Sequence, residues 1–235
     1  MNNKIMNFKK GLHAGIPICL GYLSVSFSFG IIASSYGLSC LEALFISMTN
    51  LTSAGQFAGL GIMAAHGSYI EMLIVEFTTN IRYAFMSISL SQKTDTNFTK
   101  PYRFLLGSTI TDEIFAVSML QKELNKEFYF GLSVLPYVGW SMGTFLGALL
   151  GNMLPGRITT ALGVALYGMF IAIVVPVTKT DSKVLKVVLL GILLMCCFKY
   201  LPFLSGVSDG LSMTISAILV SLIGSFLWPV SNCDN

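Results

Sequence analysis

Apolar runs bounded by Gly, Pro, Asn and charged residues recur near 14–36, 41–64, 70–91, 102–120, 128–153, 158–177, 184–203 and 208–230. Each approaches the roughly 20 residues that a helix needs to cross a hydrocarbon core. Backbone groups in lipid must be satisfied inside their own segment, so such runs predict helices rather than loops or open sheets. The run at 102–120 is the weakest, because Gly107, Ser108, Thr109, Thr111, Asp112 and Glu113 make it half polar. It fits a re-entrant segment, a surface segment or a buried span. The expected fold is all-α: a polytopic membrane protein of about seven or eight transmembrane helices, some discontinuous, forming one permease domain over 1–235.

Composition strengthens that reading. The 235 residues are 54% hydrophobic and 11% charged, against about 25% charged in an ordinary soluble domain. Their mean hydropathy is +0.75. The net charge of +3 is small, and the lysines are scattered at the ends of apolar runs, so nucleic acid is not an expected partner. The lipid bilayer is. Lys4, Lys9 and Lys10 precede an apolar stretch too long for a signal peptide, which makes it a retained first helix. Cys19, Cys40, Cys196, Cys197 and Cys233 show no CxxC spacing and read as small apolar residues, with no disulfide framework, metal or cofactor expected.

The positive-inside rule does not decide the topology. With eight crossings and the N-terminus inside, Lys4, Lys9, Lys10, Lys122, Lys126, Lys179, Lys183 and Lys186 lie inside, and Lys93, Lys100, Arg103, Arg157 and Lys199 outside. If the second segment does not cross, the last five join the N-terminal three and the remainder move out, so the balance is unchanged. A faint echo links Pro17, Gly21-Tyr22, Phe27 and Gly30 to Pro136, Gly139-Trp140, Phe145 and Gly147. It reads either as chance similarity of small-residue helices or as an inverted repeat of the kind that builds two-halved transporters.

Polar groups inside apolar spans are costly, so three clusters stand out. In the second segment, Asn50-Leu51-Thr52-Ser53-Ala54-Gly55-Gln56-Phe57 loosens the helix. Free backbone groups at a break can hold the ends of a small zwitterion, while the competing reading is close packing with Gln56 bonding a neighbour. In the third, Glu76, Asn80, Tyr83 and Ser87 fall on one helical stripe. Arg82 lies about 120° away on an ideal helix. Either it reaches another neighbour or the helix unwinds near Thr78 and Asn80. Arg82 is a counter-charge for a substrate carboxylate, Glu76, Asp112 or Glu113, or else part of a structural ion pair. In the fourth, one of Asp112 and Glu113 can face a cavity and carry a proton while the other pairs with a base, unless both are solvated in a loop. His13 and His66 need no role, Asp209 is expected to cap the last helix, and the Asn97 sequon carries no weight. No HExxH, GxSxG or phosphate-binding glycine loop occurs, so an enzyme is not expected.

These residues, with Gly15-Ile16-Pro17, Gly21-Tyr22, Phe29-Gly30, Ser53-Ala54-Gly55-Gln56-Phe57, Asn80-Ile81-Arg82-Tyr83, Thr111-Asp112-Glu113 and Gly139-Trp140 with Gly143-Thr144 and Gly147 in order, resemble the AzlC family of branched-chain amino acid permeases. The resemblance implies a multi-pass protein of the bacterial inner membrane. It implies export of leucine, isoleucine, valine or similar amino acids on the proton-motive force, beside a small AzlD-type membrane subunit. On that reading broken second and third segments form the site. Arg82 and Asn80, with Tyr83 nearby, meet the carboxylate; Gln56 and backbone carbonyls around Ser53 and Gly55 meet the ammonium; Phe57 meets the side chain. Glu76, Asp112 and Glu113 are the proton-coupling candidates. Two departures stand out: Tyr83 replaces the family's usual His, and Leu51-Thr52-Ser53 replaces Tyr-Ala-Gly. The alternatives are a membrane scaffold or regulatory subunit, or a channel-like pore for a small solute.

Overall fold

The computed structural model describes residues 2–95, 98–151, 171, 174–175, 178–179, 181–204 and 206–228. The expected span at 158–177 lies almost wholly outside the described residues, as do Arg157, Asn97 and Cys233. Among the described residues the chain is all-helical. Its helices are α1 (Asn2–Ser35), α2 (Cys40–Thr49), α3 (Ser53–Ala64), α4 (Tyr69–Ser91), α5 (Lys100–Thr109), α6 (Asp112–Met119), α7 (Lys126–Leu150), α8 (Ser182–Tyr200) and α9 (Asp209–Leu227). Among the described residues, three stretches are long and apolar enough to cross a membrane: Lys4–Ser35, Lys126–Leu150 and Gly210–Leu227. The chain forms two compact units, Met1–Leu60 with Asn80–Leu166, and Gly61–Thr79 with Tyr167–Asn235.

The first unit is built on α1 and α7. Gly139, Gly143 and Gly147 recur every four residues and so share one face of α7, which lets two backbones approach closely. Phe8 lies against Gly131, Cys19 against Gly139, Leu23 against Gly143 and Phe27 against Gly147. The numbers rise together, so the two helices run parallel. The echo noted in the sequence therefore joins two parallel helices. An inverted repeat would set them antiparallel, and for this pair that expectation is corrected.

The second and fourth expected spans are hairpins rather than straight crossings. A Schellman turn closes α1, with Gly37 at φ 91° and Leu38 N–H bonded to the Ala33 carbonyl. Ser39 then caps α2 in a capping box with Glu42. The chain breaks at Asn50–Thr52 and returns as α3. Collinear helices would hold Ser47 and Gln56 more than about 10 Å apart, yet Gln56 Nε2 donates to Ser47 Oγ at 2.8 Å. Further along α3, Leu60 joins Phe29, Ala33, Ala43 and Ala148 in one buried cluster at the end where α2 began.

The α5–α6 pair closes in the same way from the opposite end. It breaks at Ile110–Thr111, where the Thr111 side chain caps α6. The residues before α5 and after α6 are bonded together: Leu124 N–H to the Lys93 carbonyl at 2.8 Å, Asp95 N–H to the Leu124 carbonyl at 3.0 Å, and Lys93 Nζ to the Met119 carbonyl at 2.7 Å. The 102–120 segment thus doubles back on itself, as a re-entrant segment would. The third expected span is an unbroken helix, α4, so the expected unwinding near Thr78 and Asn80 does not occur. Its Phe77, Ile81, Phe85 and Ile88 are exposed, while Glu76, Asn80, Tyr83 and Ser87 are half-buried on another face.

These hairpins gather the charges that the linear sequence divided. Lys4, Lys9, Lys10, Lys93, Lys100, Arg103, Lys122 and Lys126 all flank the same end of the first unit, where Gly11 packs on Phe128, Arg103 reaches Thr94, and Lys126 Nζ lies 4.3 Å from the Tyr102 ring centroid. The turn at 36–39 and the close of α7 at the other end contain no Lys or Arg. In the second unit α8 and α9 are antiparallel, with Gly191 beside Val220 and Gly224 beside Val187. Ser208 caps α9 instead of the expected Asp209, and its hydroxyl donates to Glu71.

Candidate functional site

Each hairpin tip of the first unit is fastened by polar side chains in an otherwise apolar interior. At the α2–α3 tip, Gln56 is 2% exposed. Its Nε2 donates to Ser47 Oγ at 2.8 Å, and its Oε1 accepts from Trp140 Nε1 at 2.7 Å. Ser47 Oγ in turn shares a 2.6 Å hydrogen bond with Thr144 Oγ1. Both functions of the amide are engaged, so Gln56 ties the tip to α7, as the packing reading allowed. Gly55 is buried and Ser53 half-buried in the first turn of α3. Phe57 stacks edge-on against Phe29 at 5.3 Å, in the cluster rather than at the break.

The α5–α6 tip carries the charges. Thr111 caps α6, leaving Asp112 and Glu113 in its first turn, where the positive end of the helix dipole favours carboxylates. Asp112 Oδ2 pairs with Arg82 Nη1 at 2.7 Å. Arg82 Nη2 also donates to Tyr83 Oη at 3.0 Å, and its guanidinium lies 4.8 Å from that ring's centroid. Thus Tyr83 acts as an acceptor for Arg82. Glu113 takes the hydrogen bond of Tyr22 Oη. The Arg82 and Asp112 side chains stay 42% and 40% exposed, whereas Tyr22 is buried. The structure therefore brings Arg82, Tyr83, Asp112 and Glu113 together. Asn80 lies on α4 near Arg82. Glu76 lies farther up that helix, on its portion in the second unit.

One contact links the two fastenings: Tyr22 meets Trp140 edge to face, with centroids 5.2 Å apart. Tyr22, Trp140, Ser47 and Thr144 were not singled out as site residues from the sequence. The available signal was that Gly21-Tyr22 and Gly139-Trp140 are the matching members of the echoed motif. A separate cavity of about 370 Å³ lies between the C-terminal ends of α2 and α5 and the side of α7. It is lined by Leu105, Phe130, Val134 and Val138 together with Thr109 and Ser133, so it can accept an aliphatic chain.

Replacing Gln56 with Leu should leave the buried Trp140 N–H without its acceptor, at about 1–3 kcal/mol for an unsatisfied group, while Ser47 keeps its hydrogen bond to Thr144. We expect a lower melting temperature in detergent and a changed Trp140 fluorescence. An unaltered melting curve and spectrum would rule out the amide as the fastening of this tip.

An all-helical membrane protein with two opposed broken hairpins and an ion pair at one tip has the construction of a transport protein. The AzlC protein family model matches residues 17–154, a stretch that includes both hairpins, α4 and α7, and the chain belongs to that family. An uncharacterized membrane protein of Archaeoglobus fulgidus is 32% identical over 75% of this chain and 78% of its own length. The inner membrane protein YgaZ of Escherichia coli is 27% identical over 70% of this chain and 71% of its own. The branched-chain amino acid transport protein AzlC of Bacillus subtilis is 22% identical over 75% and 70%. No solved structure matches the chain.

Proposed function

We propose that this chain is the large subunit of a permease in the bacterial inner membrane that exports branched-chain or similar neutral amino acids, driven by protons, together with a small AzlD-type membrane subunit. The observation that carries the proposal is the Arg82–Asp112 pair at the α5–α6 tip. Charges inside a membrane protein are expensive and mark pathways for charged groups. The family membership and the name of the Bacillus subtilis relative support the amino acid class. In this reading Arg82 and Asn80 receive the substrate carboxylate, and Asp112 or Glu113 exchanges the proton. On the same reading Gln56 holds the facing tip in place through its bonds to Ser47 and Trp140.

The test is efflux of labelled leucine from preloaded cells expressing the chain with and without the small subunit. Efflux that depends on the subunit and collapses with a protonophore supports an exporter. Opposed re-entrant hairpins also occur in pores, and downhill flux that survives the protonophore would favour a pore instead. Absence of efflux from a correctly inserted protein would remove branched-chain amino acids as cargo.

The end of the first unit rich in Lys and Arg faces the cytoplasm in this proposal. In a background without native cysteines, Lys93→Cys and Lys122→Cys should both react with an impermeant maleimide only from the cytoplasmic side, and Leu38→Cys only from the other. Labelling of Lys93→Cys and Lys122→Cys from opposite sides would mean that α5–α6 crosses the membrane.

A further inference from the structure

We infer that the Arg82–Asp112 pair is itself the recognition element for the substrate, opened by a zwitterion whose carboxylate takes Arg82 and whose ammonium takes Asp112. The inference rests on the permease reading for the class of cargo and goes beyond it in assigning the ammonium to Asp112 and in separating Asp112 from Glu113. The geometry divides the two acids. Glu113 is held by the buried Tyr22 hydroxyl, whereas Asp112 and Arg82 meet at 2.7 Å with about two-fifths of each side chain accessible. The accessible pair can part without breaking the packing around Tyr22 and Trp140.

A ligand with one charge cannot open this pair cheaply. A carboxylate on Arg82 leaves Asp112 bare, and an ammonium on Asp112 leaves Arg82 bare, each a charge that has lost the partner it held at 2.7 Å. A zwitterion replaces one paired arrangement with another. The same logic couples the proton. A proton on the Asp112 carboxylate removes the charge that the ammonium needs, so proton and substrate exclude each other at one atom, as exchange requires. The groups facing Asp112 are Arg82 and Tyr83 from α4 and the adjacent Glu113, with Tyr22 of α1 behind Glu113. Arg82 is the cation among these groups.

The test uses the full chain with its small subunit in lipid nanodiscs. Amino acids from glycine to leucine and phenylalanine are measured for thermal stabilisation and binding, each beside its decarboxylated amine and its deaminated acid; for leucine these are isoamylamine and 4-methylpentanoate. At least one amino acid should bind about 100-fold more tightly than either of its singly charged relatives. Its affinity should fall as the pH is lowered. In Asp112→Asn that affinity should drop at least tenfold, lose its pH dependence, and no longer exceed that of the acid analogue.

Equal binding of an amino acid and its amine or acid overturns the inference while leaving the permease reading intact. So does an Asp112→Asn protein that keeps its pH dependence. Discrimination that favours other amino acids over the branched-chain ones sustains the inference and removes the cargo assignment. Failure of every amino acid to bind overturns the inference, and the efflux assay then judges the permease reading separately.

Discussion

Arg82→Ala is expected to lower transport by at least about 100-fold while the protein still reaches the membrane. The substitution leaves Asp112 without its 2.7 Å partner, an unpaired acid on a hairpin tip packed against apolar helices. A stability loss alone could imitate a transport defect, so the informative comparison is Arg82→Ala with Asp112→Asn. Removing both charges relieves the unpaired acid and should recover most of the lost melting temperature. Transport should stay absent, because neither end of the substrate then has a partner. Transport measured in vesicles and melting followed in detergent separate the two. Activity in the double variant would make the pair a structural strut.

Gly147→Val should have the largest effect on folding. A Cβ at Gly147 would sit 2.0 Å from the Phe27 carbonyl oxygen, which is backbone and cannot rotate away. Overfilling a packed interior costs about 1–3 kcal/mol when side chains can adjust, and here a whole helix must move. The parallel α1–α7 pair carries both fastenings, since Tyr22 and Trp140 sit on it, so separating the helices dismantles both tips. The expected readout is loss of a monodisperse protein in size-exclusion chromatography. Gly21→Ala, where no atom of a neighbouring element among the described residues lies within 4 Å of the added carbon, should be tolerated. If Gly147→Val eluted and melted like the parent protein, the close approach of these helices would not support the unit.

The chemistry at the site follows from ordinary aqueous and membrane rules rather than from any one residue. Neutral hydrogen bonds hold the α2–α3 tip, each contributing about 0.5–1.5 kcal/mol net. They are well suited to a fixed element. A half-accessible ion pair holds the α5–α6 tip, and its partners can be exchanged. In the proposed function α5–α6 is the tip that would respond to substrate.

Much of this was legible in the sequence. Runs of about 20 apolar residues can only be helices in lipid, and the rarity of charge inside them singles out Arg82, Asp112 and Glu113. The small and amide residues around Asn50–Phe57 point to a loosened helix, and a break stands there; the half-polar run at 102–120 leaves three readings open. The third run was misjudged as broken because a polar stripe on a continuous helix resembles the composition of a break. Local composition reports how costly it is to interrupt a helix, but not whether the chain goes on or turns back. That choice depends on contacts between distant residues: Gln56 with Trp140, Lys93 with Met119, Leu60 with Ala43. The same limit applied to charge. Counting Lys and Arg along a line gave a tie, because each loop's side depends on whether the preceding segment crosses. Only the tertiary structure turned both hairpins back and brought Lys93, Lys100, Arg103, Lys122 and Lys126 to the end occupied by Lys4, Lys9 and Lys10. Likewise, the sequence named three possible partners for Arg82 among the acids. The fold selected Asp112, because the hairpin delivers the first turn of α6 to the middle of α4 while Tyr22 takes Glu113.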